Sequence, residues 1–217
     1  MIVDLLTKTE FITDMEHNAA LAALTCHANT DKPFVPSEVL KRIIKAGHES
    51  ILEHITLTYS VKKLSRACLQ ELARHRHISL SVESTRHTLK EKIDGKAIDI
   101  APPEKLVGIK LGMTSFNGDK RESFSPPEIM TGIIMYIVKE FPEISNDELK
   151  YLIPELFTTN LILTTNVREL RHIVKLRTAP AALNEFRVLA YSLFDVMPEQ
   201  FKYLVEDCVY KEEKGEN

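Results

Sequence analysis

The chain has 217 residues, 44% hydrophobic and 27% charged, the balance of an ordinary soluble globular protein with enough apolar material for one well-filled core. A net charge of −3 argues against a general nucleic-acid binder, which carries a marked basic excess. Three cysteines without close paired spacing argue against a disulfide scaffold or a cysteine-ligated zinc site, and no apolar run approaches the length of a membrane span; a cytoplasmic protein with neither nucleic acid nor membrane as partner is expected.

Residues 2–6 fit a short strand, and residues 15–26, rich in alanine and leucine, fit a helix. Ser37 is placed to cap a helix with Val39, Leu40, Ile43 and Ile44 inward, and Gly47 to end it. Residues 55–61 alternate apolar and hydroxyl side chains, which predicts a half-buried strand. Its hydroxyl face offers Thr56 to a ligand, while Thr58 reads as solvent-facing. Ser65 caps a further helix that delivers Arg74 at its C-terminal end, before a loop over residues 74–86. Residues 97–100 fit another strand. Pro126-Pro127-Glu128 opens a helix with Ile129, Ile133, Ile134 and Ile137 inward, ending near Pro142. Two more helices are predicted, over 145–176 with a break at Pro154 and over 182–197, and the charged tail 211–217 reads as frayed. Helices outnumber strands. The expected class is α+β: one mainly helical domain over residues 1–217 with a small, mostly antiparallel sheet.

The loop 74–86 is the most informative segment. It gathers Arg74, His75, Arg76, His77, Ser84, Thr85 and Arg86 around a single acid, Glu83, with no lysine. Arginine's planar fork binds phosphate in bidentate fashion and stacks on flat rings, and hydroxyls add short donors. In a mildly acidic chain such a local basic segment points to a small phosphorylated, aromatic ligand. A solvated loop, or one that grips RNA without chemistry, remains the alternative.

Arg74-His75-Arg76 followed after seven residues by Ser84-Thr85-Arg86 resembles the motif of the flavin-dependent thymidylate synthases. Asn166-Val167-Arg168, with His172 and Arg177 beyond, is similar to that family's flavin- and substrate-binding helix, and the segment from Gly47 to His54 to the one leading to its flavin-side histidine. The resemblance covers about 37–86 and 146–208, and little of 90–145. It implies that family's fold and its reaction, reductive methylation of dUMP to dTMP. NADPH reduces FAD, methylenetetrahydrofolate supplies the carbon and reduced flavin supplies the hydride. Carried over by motif position, Thr56, His54, Arg74, His75, Arg76, Asn166, Val167, Arg168 and His172 belong to FAD. Glu71, Arg74, Val82, Glu83, Ser84, Thr85, Arg86, Lys150 and Arg177 belong to dUMP, with Arg177 catalytic. A homotetramer with shared active sites is implied as well. Three positions depart from the family pattern: Lys150 for arginine, Val82 for an acidic or amide residue, and Glu71 for glutamine.

At about 100° per residue, Asn166 and Arg177 are expected on one face of their helix, with Arg168 and His172 on the other. The surrounding leucines and isoleucines make a buried arginine there costly unless an anion or an acidic partner meets it. No metal site is expected, because the histidines show no helical i, i+4 pair with a neighbouring acid. Ser84 lacks the glycine-flanked turn of a hydrolase nucleophile. The Gly-x-Gly-x-x-Gly fingerprint is absent from a chain with 7 glycines, so any flavin would be held by arginines and helix faces. Two alternatives stay open: an RNA-binding protein, and a thymidylate synthase that attacks through a cysteine thiolate.

Overall fold

The computed structural model describes residues 1–26, 32–93, 98–114 and 121–211. In chain order the elements are β1 (Ile2–Leu5), α1 (Thr9–Thr25), α2 (Pro36–Lys45), β2 (Thr56–Ser65), α3 (Arg66–Leu72), β3 (Ile78–Val82), α4 (Thr85–Ile93), α5 (Glu104–Gly108), β4 (Leu111–Thr114), β5 (Arg121–Phe124), α6 (Pro126–Glu140), α7 (Asn146–Leu149), β6 (Thr158–Asn166), α8 (Val167–Arg177) and α9 (Asn184–Asp195). Short 3-10 turns cover Glu49–His54, Lys150–Leu152, Glu199–Leu204 and Glu206–Cys208. Four strands form a sheet in the order β1-β2-β6-β3, and β4 pairs antiparallel with β5. The expected α+β class, mostly helical with a small sheet, is what the chain adopts. Among the described residues no helix is long and apolar enough to cross a membrane.

The chain divides into two compact units. The first comprises Met1–Val61, Gln70–Ser81 and Leu161–Asn217. Leu57, Tyr59 and Val61 of β2 and Leu161 and Leu163 of β6 alternate into its core, as the period of two requires. Thr58 bonds Thr164 across these strands, hydroxyl to hydroxyl at 3.0 Å, rather than facing solvent alone. Ile12, Ala19, Ala20 and Ala23 of α1 pack against Val39 and Leu40 of α2, small residues letting the two helices approach. Pro36 takes the first turn of α2 with Val35 as N-cap, so Ser37 lies inside the helix instead of capping it. Gly47 follows at φ +74°, the left-handed position glycine fills without a Cβ penalty.

The second unit comprises Lys62–Leu69 and Val82–Asn160. Ser65 caps α3 as expected, its Oγ accepting the Cys68 N–H at 3.1 Å. A small core gathers Leu89, Ile93, Ile98, Ile134, Leu149 and Phe157. Ser125 and Glu128 close a capping box on α6, but only Ile134 of its isoleucines is fully buried, with Ile137 partly packed and Ile133 exposed. Of the strand expected over 97–100, Ala97 lies outside the described residues and Ile100 makes an isolated antiparallel bridge to Phe157.

Two further expectations fail. Residues 145–176 are not helical throughout: α7 is a single capped turn, and β6 precedes α8. Thr158, Thr159, Ile162, Thr164 and Thr165 make that stretch rich in β-branched residues, which a pleated surface accommodates better than a helix does. Nor is 74–86 one loop. Ile78-Ser79-Leu80-Ser81-Val82 forms β3 and Thr85 opens α4, so the segment begins in the first unit and ends in the second.

Candidate active site

In the first unit, β6 turns into α8 at Asn166. The asparagine has extended backbone angles, and its Oδ1 accepts the Glu169 N–H at 2.8 Å, satisfying one of the helix's orphan donors. The Val167 N–H donates to the Ile55 carbonyl at 2.8 Å and ties the helix start to the foot of β2. Val167, Leu170, Ile173 and Val174 bury one side of α8. The polar residues left over border two adjoining clefts, which share His77, Glu169 and His172.

One cleft, of about 480 Å³, also takes in Glu49, Glu53, Asn166 and Arg168. The other, of about 540 Å³, takes in Glu71, Arg74, His75, Arg76, Leu176 and Arg177. Asn166 thus sides with Arg168, not with Arg177, while His172 borders both clefts. The helical-wheel expectation fails because Asn166 is the cap, outside the regular turns for which 100° per residue holds.

Arg177 is fixed from three sides. Its Nε–H donates to His75 Nε2 at 3.2 Å, its Nη1 donates to Glu71 at 3.1 Å, and its guanidinium lies over the Phe186 ring, 4.6 Å from the centroid. On the far side of His75, Nδ1 lies 2.9 Å from a Glu169 carboxylate oxygen. A guanidinium has no acceptor, so His75 Nε2 must present a lone pair. The ring is therefore neutral with its proton on Nδ1, donated to Glu169. His75 and Glu169 are both buried. Burial foremost, with the Arg177 charge adding to it, holds the His75 pKa below its ordinary value of 6.5 against the opposing pull of Glu169.

That depression has a consequence for stability. Above 6.5 His75 is neutral folded or unfolded and costs nothing; below it the unfolded chain binds the proton first, so stability is lost as pH falls from 6.5 toward the lowered folded-state value. Thermal unfolding should therefore come earlier at pH 5.5 than at 7.5. His75→Asn should show a shallower acid slope, and equal slopes would refute the contribution.

The ligand atoms of His75, Glu169 and His172 all lie within 4.8 Å of one another, a grouping the sequence did not reveal. Hydrogen bonding accounts for the first two, and a cation there would sit beside Arg177. Of the other expected flavin residues in this unit, Val167 is buried, while Arg74 and Arg76 border the second cleft, Arg168 pairs with Glu53 at the first, and Thr56 and His54 are exposed. The dUMP residues expected between Val82 and Arg86, and Lys150, belong to the second unit. There Arg86 forms a bidentate pair with Asp147 at 2.8 and 2.9 Å, and the Ser84 carbonyl accepts the His87 and Thr88 N–H groups of α4. Glu83 accepts from Lys92 and Asn160, while Val82 and Lys150 are exposed.

Sequence reasoning missed Glu169, Phe186 and Arg171. Arg171 is the buried arginine of α8, and its acidic partners are Glu49 and Asp207. The available signal was its place between Leu170 and Ile173 on the apolar stripe.

A family model described as thymidylate synthase complementing protein matches residues 5–201. Flavin-dependent thymidylate synthase of Campylobacter jejuni (strain RM1221) is 35% identical over 196 residues, covering 88% of this chain and 91% of that protein. The enzyme of the same description from Helicobacter pylori (strain ATCC 700392 / 26695) is 36% identical over 162 residues, 75% of this chain and 76% of that one. A crystal structure of thymidylate synthase X from Helicobacter pylori with FAD and dUMP superposes with a TM-score of 0.77 at 29% identity, covering 97% of this chain and 100% of that chain.

Proposed function

Because the chain belongs to the flavin-dependent thymidylate synthase family, we propose that it methylates dUMP reductively to dTMP with FAD as its bound cofactor. Methylenetetrahydrofolate serves as carbon donor and NADPH as reductant. The observation that carries this reading is Arg177, a cation held in a fixed pose at a cleft bordered by further arginines and histidines.

The residues fit a dinucleotide. Arg74 and Arg76 bring exposed guanidiniums to one cleft and Arg168 brings another to its neighbour, which suits a diphosphate in a chain without a glycine fingerprint. His54, Thr56, Asn166 and His172 complete the proposed FAD set, with His75 and Val167, both buried and with their backbone N–H groups given to Leu72 and Ile55, supporting them from behind. When bound and reduced, FAD supplies the hydride of the reaction.

The rest falls to the chain. Uracil C5 attacks the donor carbon only if the negative charge that develops at N3 and O4 is stabilised, and a preoriented cation does this without reorganisation. Arg177 takes that role, with Glu71 and Arg74 beside it. Val82, Glu83, Ser84, Thr85, Arg86 and Lys150 are proposed for the phosphate side of dUMP. A single functional domain, a homotetramer with shared sites and a cytoplasmic location complete the reading.

The thiolate alternative finds little support. Cys68 is fully buried, and burial pushes the Cys208 thiol up to about 11, which the nearby Arg171 only partly offsets. Replacing Cys26, Cys68 or Cys208 singly by serine should leave dTMP formation largely intact in folded protein; a folded Cys68→Ser variant without turnover would restore covalent attack. The proposal itself is tested by the absorption spectrum and a dTMP assay. A flavin band together with dTMP formation dependent on methylenetetrahydrofolate and NADPH is expected. A colourless protein that takes up no FAD and binds RNA with steep salt dependence would overturn it.

A further inference from the structure

We propose that Glu169 is a positioning residue for the reaction: through His75 it fixes the tautomer that receives the Arg177 Nε–H, and so aims the guanidinium. This rests on the catalytic reading of Arg177. Glu169 is buried at the third position of α8, held by the Asn166 cap, and its carboxylate meets the Nδ1 side of His75 at 2.9 Å. The groups facing the His75 ring are few: Glu169, Arg177, the His172 ring edge-on at 5.6 Å and the Phe186 ring edge-on at 5.8 Å.

Without Glu169 only the Arg177 donor favours the Nδ1–H form, and it does so at the cost of leaving a buried Nδ1–H without its acceptor. An imidazole with its proton on Nε2 would point N–H at N–H toward Arg177, and the guanidinium would turn away toward Glu71, its other partner. An arginine drawn toward a carboxylate is a poorer match for charge appearing on a pyrimidine. Carboxylates that fix the tautomer of a metal-ligating histidine act in the same way, and their loss costs about 10–100-fold in metal affinity or activity.

The experiment uses the full chain loaded with FAD and labelled with ¹⁵N-histidine. Long-range ¹H–¹⁵N spectra report the His75 tautomer without substrate, and steady-state assays report kcat and the KM for dUMP. Wild-type protein should show His75 neutral and protonated on Nδ1. Glu169→Leu should lose that preference and lower kcat about 10–100-fold with a smaller change in KM. Glu169→Gln, whose amide oxygen can still accept from Nδ1–H, should keep the tautomer and recover most of kcat. A wild-type His75 protonated on Nε2, a folded Glu169→Leu with normal kcat, or a Gln variant as impaired as Leu would each overturn the proposal. Failure of the underlying reading looks different: Arg177→Ala would make dTMP at the normal rate, whatever the tautomer.

Discussion

Replacing Arg177 by alanine is expected to lower dTMP formation on the order of 10²–10³-fold, the range found when a preorganised oxyanion donor is removed. Three contacts hold the side chain, to His75, Glu71 and Phe186, so its charge needs no reorganisation when the pyrimidine becomes anionic. Water that fills the vacated space must reorient to stabilise that charge, and this is where the lost rate goes. Reduction of bound FAD by NADPH should survive, because that half-reaction activates no pyrimidine. Arg177→Lys should recover part of the loss by keeping the charge, though not the fork that reaches two partners at once. The two half-reactions are to be assayed separately. If flavin reduction collapses while pre-reduced enzyme methylates dUMP normally, Arg177 serves the cofactor and the assignment fails.

The legible parts of this chain were those governed by local rules. Ser65 as a cap, the alternation along β2 and the Pro126-Pro127-Glu128 opening of α6 each depend on a few adjacent residues, and each is present. Arg74, His75 and Arg177 were legible for another reason, as residue types at family spacing, and the fold brings all three to one cleft. What stayed hidden depends on partners far away in sequence. Within β6, Leu161, Ile162 and Leu163 form a continuous apolar run, which periodicity alone assigns to neither helix nor strand. In the fold Leu161 and Leu163 are buried while Ile162 is partly exposed, a pattern set by pairing with strands remote in the chain. By sequence Glu169 is only an acid in the first turn of a helix. Its place against His75 follows from a contact 94 residues away, to which no local pattern points.

Arg171 carries the largest expected effect on stability. Its side chain is 4% exposed and donates five hydrogen bonds: two to Glu49, two to Asp207 and one to the Leu204 carbonyl, at 2.6–3.1 Å. One guanidinium thereby ties α8 to the 3-10 turn Glu49–His54 and to the two turns that close the described chain, Glu199–Leu204 and Glu206–Cys208. Breaking a fully buried pair costs about 3–5 kcal/mol. Here the carboxylates are partly exposed and can rehydrate, which lowers the expectation for Arg171→Met to about 2–3 kcal/mol, or roughly 5–10 °C in Tm. Arg171→Lys should fall between, since an ammonium cannot serve both carboxylates and the carbonyl in the same geometry. Adding Glu49→Gln and Asp207→Asn to Arg171→Met should return part of the loss by removing the two stranded charges. Acid should act on the same clamp: the bond from Arg171 foremost holds the Asp207 carboxyl below its ordinary value of 3.8. Its contribution is full above 3.8 and is lost as pH falls through the lowered value, a loss that Arg171→Met should no longer show. Denaturant unfolding of the three variants beside wild type decides the matter. An Arg171→Met protein as stable as wild type, or a triple variant less stable than the single one, would mean that the clamp contributes no net stability.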